Sequence, residues 1–255
     1  MRDLYMFLRL FIILQLFLPT TIFSSDFIDK VPQRSRIIPM KTSVIVPCCG
    51  KHFHHLFPLL VEYTKQTCFP DEMVISLSDC HMLRKNDIDM LEKQPWPFRI
   101  KIIQHERKKT AAENRNIGCE YASGDVILCQ DADDLPHPQR VEIVKFLFEK
   151  YQIDHLMHFF ADPGSTFVNY KKDTLQLIKY KCAHMATRLP YVHNGNICLS
   201  KTLANKVKWP LMDAEDMLFN ISVYSQFATT AVLQVPLIIY RNYLSSLPYV
   251  KEENK

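Results

Sequence analysis

From Ser43 onward, short apolar runs alternate with stretches of helical period. SVIVP (43–47) and MVISLS (73–78) read as buried strands, and FRIKIIQH (98–105) and DVILCQ (125–130) as a third and a fourth. Between them, HHLFPLLVEYTKQT (54–67) reads as a helix despite its internal Pro58, and TAAENRNIGCEYA (110–122) as a helix stopped at Ser123-Gly124. PQRVEIVKFLFEKYQ (138–152) is a further helix with Pro138 near its first turn, and HLMHFF (155–160) a further strand. Strands separated by helices of this length predict right-handed crossovers, hence an α/β fold with a mostly parallel central sheet flanked by helices.

The pattern weakens from Asp162 to Pro190. There Pro163-Gly164 marks a turn, TFVNY a short strand and DTLQLIKYK a short helix, and a lid or acceptor wall is expected. Regularity then returns. GNICLS (195–200) reads as a strand, EDMLFNISVYSQF (215–227) as a helix, and TTAVLQVPLIIYRNY (229–243) as extended chain with Pro236 at an edge or bend.

The N-terminus has a different texture. LYMFLRLFIILQLFLPTTIF (4–23) is nearly continuous apolar sequence, broken by Arg9, Gln15 and Pro19. Residues 1–25 therefore form a signal or membrane-anchor segment, 26–41 a basic polar linker, 42–245 the α/β domain and 246–255 a polar tail. Ile22 and Phe23 ahead of Ser24 and Ser25 count against cleavage, and Lys30, Arg34, Arg36 and Lys41 favour a cytoplasmic face beyond an anchor. Asn220-Ile-Ser222 satisfies the glycosylation triplet, so lumenal, secreted and cytoplasm-facing forms all stay open. Membrane association would run through residues 4–23.

Composition narrows the picture. The apolar fraction of 47% in 255 residues is ample for one substantial core. The 31 Lys and Arg are interspersed with 27 acids and form no basic block, so no nucleic-acid partner is expected. Eight cysteines without a Cys-x-x-Cys pair read as small buried side chains rather than a disulfide framework or a zinc site.

Candidate chemistry gathers at two acidic places. Asp131, Asp133 and Asp134 follow the fourth strand at its carboxyl end, where open α/β sheets hold ligands. Three adjacent carboxylates repel one another unless a cation offsets them, and alternate acids suit a hard ion such as Mg²⁺ or Mn²⁺ with room for phosphate oxygens. A structural calcium site fits the same acids, and Asp134 is readily explained as a cap of the helix that follows. Arg115 and Asn116 lie in an otherwise small and apolar helix, where Gly118 and Ala122 suggest close approach to the sheet. Arg115 suits either a diphosphate or an ion pair with Glu113 or Asp131. The second place is Glu215-Asp216, at the start of a helix, where helix-end charge is the simplest alternative.

SVIVP, AAENRNIGCEYASGDVILCQDADD, HNGNICLSK and MDAEDMLFN together resemble the nucleotide-sugar-dependent glycosyltransferases of the GT-A fold, family 2 in particular, over roughly residues 42 to 245. The resemblance implies a metal-dependent inverting transferase that moves a sugar from a nucleotide-diphosphate donor, UDP-sugar foremost, to a hydroxyl of a carbohydrate, lipid or protein acceptor. It implies Asp133 as the ligand of Mn²⁺ or Mg²⁺, with Asp131 bound to the metal indirectly or to the donor ribose. It implies Asp216 as the base that takes the acceptor proton, with Glu215 orienting the acceptor, and Arg115 and Asn116 on the donor side. Pro47 would end the first strand at the nucleotide pocket.

The chain departs from the family at two points. Ser76-Leu77-Ser78-Asp79-Cys80 stands where an acidic pair is common, leaving Asp79 to contact the nucleotide. Tyr240-Arg241-Asn242-Tyr243 has tyrosine in place of a histidine ligand, leaving Arg241 for phosphate. His193 precedes the acceptor-side strand and is a contact for diphosphate or acceptor, or a packing residue. His52-Phe53-His54-His55 reads as half-exposed loop histidines, and Trp96 and Trp209 as packing residues. The competing functions are a sugar nucleotidyltransferase, disfavoured by a single glycine in PCCGKHFHH, and a non-catalytic calcium-dependent carbohydrate-binding module.

Overall fold

The computed structural model describes residues 39–180, 194–226 and 228–241. The chain divides into a unit Met1–Ser35 and a unit Arg36–Lys255, and every described residue belongs to the second. The apolar segment 4–23, most of the linker and the tail lie outside the described residues. Among those residues no helix is long and apolar enough to cross a membrane.

The chain begins with β1 (Thr42–Cys49), a 3-10 turn (Gly50–His55), α1 (Leu56–Tyr63) and β2 (Glu72–Ser78). Pro58 is the third residue of α1, in the first turn, where a missing N–H removes no helical bond. α2 (Lys85–Lys93), β3 (Arg99–His105), α3 (Ala111–Tyr121) and β4 (Val126–Cys129) complete a first half. Then come the two-residue β5 (Leu135–Pro136), α4 (Arg140–Tyr151), β6 (His155–Ala161), β7 (Leu177–Tyr180), β8 (Ile197–Ser200), α5 (Lys201–Lys206), α6 (Glu215–Ser225) and β9 (Thr230–Ile239).

Strand order is β3-β2-β1-β4-β8-β6-β9-β5, with β7 also paired to β9. β3, β2, β1 and β4 are parallel, as expected of strands joined by helices. Parallel ladders predominate, as expected, and the other half of the sheet is mixed. β8 runs antiparallel between β4 and β6, β6 and β9 are parallel, and β5 and β7 pair antiparallel with β9. Apolar runs reveal that strands are buried; their direction depends on which neighbour they meet.

Successive side chains of β1 enter opposite layers, because strand side chains alternate. Val44 and Val46 pack with Leu60 and Tyr63 of α1 and Val144 and Leu147 of α4. Ile45 packs in the other layer with Ala112 and Cys119 of α3 and Phe219 and Val223 of α6. The described cysteines are all free, and Cys48, Cys80, Cys119, Cys129 and Cys198 are buried in these layers.

Two local expectations fail. TFVNY forms no strand, and DTLQLIKYK is a 3-10 turn (Lys172–Thr174) followed by β7 instead of a helix. The open edge of β9 supplies β7 with ladder partners from Leu177↔Leu233 to Tyr180↔Thr230, which outweighs a weak helical pattern. Pro236 lies inside β9, opposite Phe159, where the β6–β9 register shifts on both sides of that residue. The bend expected at Pro236 is therefore a ladder irregularity, a position that tolerates a missing donor.

Candidate active site

Because β1, β2 and β4 are parallel, their carboxyl ends open toward one side and carry the loops with Asp79 and Asp131–Asp134. α3 crosses beneath. Its start is set by a reciprocal capping box, in which the Thr110 hydroxyl accepts from the Glu113 amide at 3.1 Å and Glu113 accepts from the Thr110 amide at 2.8 Å. Gly118 lets the helix approach β1 closely, since a Cβ there would lie 3.0 Å from Ile45 Cβ. This close packing buries Arg115.

Arg115 joins the two acidic places. Its Nη2 donates to Asp131 Oδ1 at 2.8 Å, and its Nη1 lies 3.6 Å from Glu215 Oε1. Nε and Nη1 of this buried guanidinium have no hydrogen-bond acceptor among the described residues. Two acids far apart in the chain, Asp131 and Glu215, thus face one cation. Burial pushes the Asp216 carboxyl up to about 7, against the pull of Arg115 and with help from the charges of Glu215 and Asp131. Glu215 was expected to orient the acceptor; instead it faces Arg115 at ion-pair distance.

Asp133, Asp134, Arg241, His55 and Glu62 line a small cavity on the other side of the acid loop. Burial lowers the basicity of His52 and His55, and the Asp133 charge partly offsets it. The histidines form a stacked, partly exposed cluster in the 3-10 turn, as expected, with 3.9 Å between the rings of His54 and His55.

Asp134 is not a helix cap. α4 begins at Arg140, five residues beyond Leu135, and its N-cap Gln139 makes no side-chain cap bond. Asp134 is instead buried, with Oδ1 accepting from the Arg241 amide at 2.8 Å and Oδ2 without a hydrogen-bond partner among the described residues. Burial, then the Asp131 charge, raises its proton affinity well above that of an ordinary carboxylate.

Two donor-side expectations, those for Pro47 and Asn116, change. Pro47 does not end β1, which continues in register with β2 to Cys49↔Ser78. β4 pairs with β1 only as far as Ile45, so Pro47 lies beyond the β1–β4 ladder. Asn116 places both amide atoms on the Trp209 backbone, at 2.9 and 2.8 Å, and so holds the segment leading to α6 rather than a donor. Asp79 sits in the left-handed region at φ 64 and lies 3.3 Å from His81 Nδ1, at the mouth of the β2 loop. Trp209 is buried and stacked on Phe219 at 3.8 Å, a packing role as expected. His193, Asn242 and Tyr243 lie outside the described residues.

Asn114 was not anticipated. It accepts from Ser76 Oγ at 2.9 Å and donates to Ser78 Oγ at 3.0 Å and the Cys48 carbonyl at 3.3 Å, tying α3 to the ends of β1 and β2. Its neighbours in the chain carry no sign of this, because every partner lies more than 35 residues away.

The acid loop fits a hard divalent cation. It offers only oxygen donors, it holds the orphaned Oδ2 of Asp134, and it faces Gly195, where a Cβ would lie 3.3 Å from Asp131 Oδ2 and 3.4 Å from Asp134 Oδ2. Among the described residues no three acid, histidine or cysteine side chains form a ready-made cage. A cation here would need phosphate oxygens and water to complete its shell.

The curled mixed sheet with the acid loop after β4 is that of the GT-A fold. The family model of glycosyl transferase family 2 matches residues 43–205, and the chain belongs to that family. An uncharacterized glycosyltransferase of Haemophilus influenzae is 31% identical over 108 residues, 42% of this chain and 34% of that protein. The match thus spans about a third of that relative's length. S. aureus TarS 1-349 in complex with UDP superposes with a TM-score of 0.63 at 21% identity, covering 79% of this chain and 60% of that fragment. Its complex with UDP-GlcNAc gives 0.63 at 22% identity, covering 79% and 58%. Glu215 and Asp216 lie beyond the segment matched by the family model.

Proposed function

We propose that the chain is a divalent-metal-dependent, inverting glycosyltransferase that moves a sugar from a UDP-sugar to an acceptor hydroxyl. The observation that carries this reading is the buried Arg115 between Asp131 on one side and Glu215 on the other, with Asp216 beside it. UDP as the nucleotide is supported by the UDP and UDP-GlcNAc complexes of the structural neighbour.

Asp133, supported by Asp131, would hold Mn²⁺ or Mg²⁺, which when bound neutralises charge on the donor diphosphate. Asp216 accepts the proton of the acceptor hydroxyl as its oxygen bonds to the anomeric carbon. The bond from that carbon to the diphosphate oxygen breaks on the opposite face, and UDP departs carrying the electron pair. Arg115, held beside Asp131, contributes positive charge that favours departure of the diphosphate. One displacement inverts the anomeric centre.

The test separates the two acidic places. Calorimetry should show Asp133→Ala losing Mn²⁺-supported UDP binding, with Asp216→Asn retaining it. In the transfer assay, run over a panel of UDP-sugars, Asp216→Asn should lose roughly 10²–10⁴-fold in rate. Equal loss of UDP binding in both variants would overturn the division of roles, and a folded wild type that binds no UDP would overturn the donor assignment.

A further inference from the structure

Arg140, at the first position of α4, is fully buried, and all five of its N–H groups reach neutral acceptors. Nε donates to His158 Nε2 at 3.2 Å. Nη1 donates to Tyr63 Oη at 3.2 Å and Gln130 Oε1 at 2.6 Å, and Nη2 to the carbonyls of Cys129 at 2.6 Å and Gly195 at 2.7 Å. His158 is held neutral by burial and directs its Nδ1 to the Phe159 carbonyl at 2.9 Å, which leaves Nε2 free to accept. A buried guanidinium without a bonded carboxylate is costly, and an apolar side chain would fill the same space without that cost.

The partners explain its position. Gln130, held at Oε1 by Arg140 and by the Tyr63 hydroxyl at 3.0 Å, donates Nε2 to the carbonyls of Asp131 at 2.9 Å and Asp134 at 3.1 Å. Two carbonyls of the acid loop are therefore held by one amide group whose orientation Arg140 sets. Arg140 also grips Gly195, whose Cα faces the Oδ2 atoms of both Asp131 and Asp134. One side chain thus binds the end of β4, the acid loop through Gln130, and the turn Asn194–Asn196 that closes over the carboxylates.

We propose that Arg140, acting through Gln130, is the positioning residue of the acid loop: it fixes the placement of Asp131–Asp134 against the Gly195 turn and so the affinity for donor. The donor part rests on the transferase reading above.

Two variants test it without removing the buried polar network. Gln130→Glu keeps an acceptor for Arg140 but replaces the Nε2 donor with an oxygen facing two carbonyls. Arg140→Lys keeps the charge and loses the fork. Leu147→Ala, on the same helix and also buried, is the control for destabilisation alone. Hydrogen–deuterium exchange should accelerate at least tenfold in residues 131–137 and 194–200 of both loop variants, with 43–46 and 73–77 unchanged. Calorimetric affinity for UDP with Mn²⁺ should fall at least tenfold in both, while Leu147→Ala melts earlier yet binds UDP as the wild type does. Unaltered loop exchange, or UDP affinity reduced no further than in Leu147→Ala, overturns the proposal. If the wild type binds no UDP, the donor reading fails and the exchange result alone decides the positioning role.

Discussion

Asp216 links stability and activity to pH. Its carboxyl is raised by burial to about 7 from an ordinary 3.8, so between those values the folded protein keeps a proton that the unfolded chain has released. Its contribution to stability therefore declines as pH rises from about 4 to about 7, while its capacity as a base grows. We expect kcat/KM to climb to a plateau above pH about 7 and the limb to vanish in Asp216→Asn. The melting temperature of that variant, relative to wild type, should rise between pH 4 and pH 8. A retained limb would assign the base elsewhere. Asp131, Asp133, Arg115, Glu215 and Asp216 could be singled out in the chain because charged residues at the ends of apolar runs need a reason. Asn114, Gln130 and Arg140 could not, since their roles consist of bonds to residues distant in sequence. Asn116, adjacent to the chemistry in the chain, points its amide away to Trp209.

α3 shows why small residues matter to the site. Gly118 allows the close contact with Ile45 that buries Arg115, one turn earlier on the same helix. Gly118→Val should cost about 1–3 kcal/mol through overpacking. The loss would be read as a lower urea midpoint at unchanged slope. UDP affinity should weaken as well, because the helix cannot move without Arg115. An unchanged midpoint would show that the contact is not close in solution. The start of α3 was already written locally in Thr110-Ala-Ala-Glu113, and its apolar neighbours marked the adjoining strands. β7 was not legible: its residues take a strand only because β9 exposes a free edge beside them.

At the scale of the molecule, the parallel half of the sheet meets its mixed half where β8 lies antiparallel against β4. If ligand binds only the folded chain, UDP with Mn²⁺ at 100 times its Kd should stabilise by about 2.7 kcal/mol. For a chain of this size that is a rise in Tm of roughly 5–10 °C, measured by thermal unfolding. A shift no larger than Mn²⁺ alone produces would count against a shared nucleotide and metal site. Periodicity and apolar runs suffice for the parallel strands, their covering helices and the place of the acid loop, since these follow from local spacing and from the burial that each run requires. The order beyond β4, the meeting of Glu215 with Arg115, and the change of Asp134 from expected cap to buried acid bonded to the Arg241 amide arise from contacts between segments far apart in the chain. Such contacts form only when the sheet closes, because side-chain partners are selected by proximity in space and by the hydrogen bonds that burial leaves to be made.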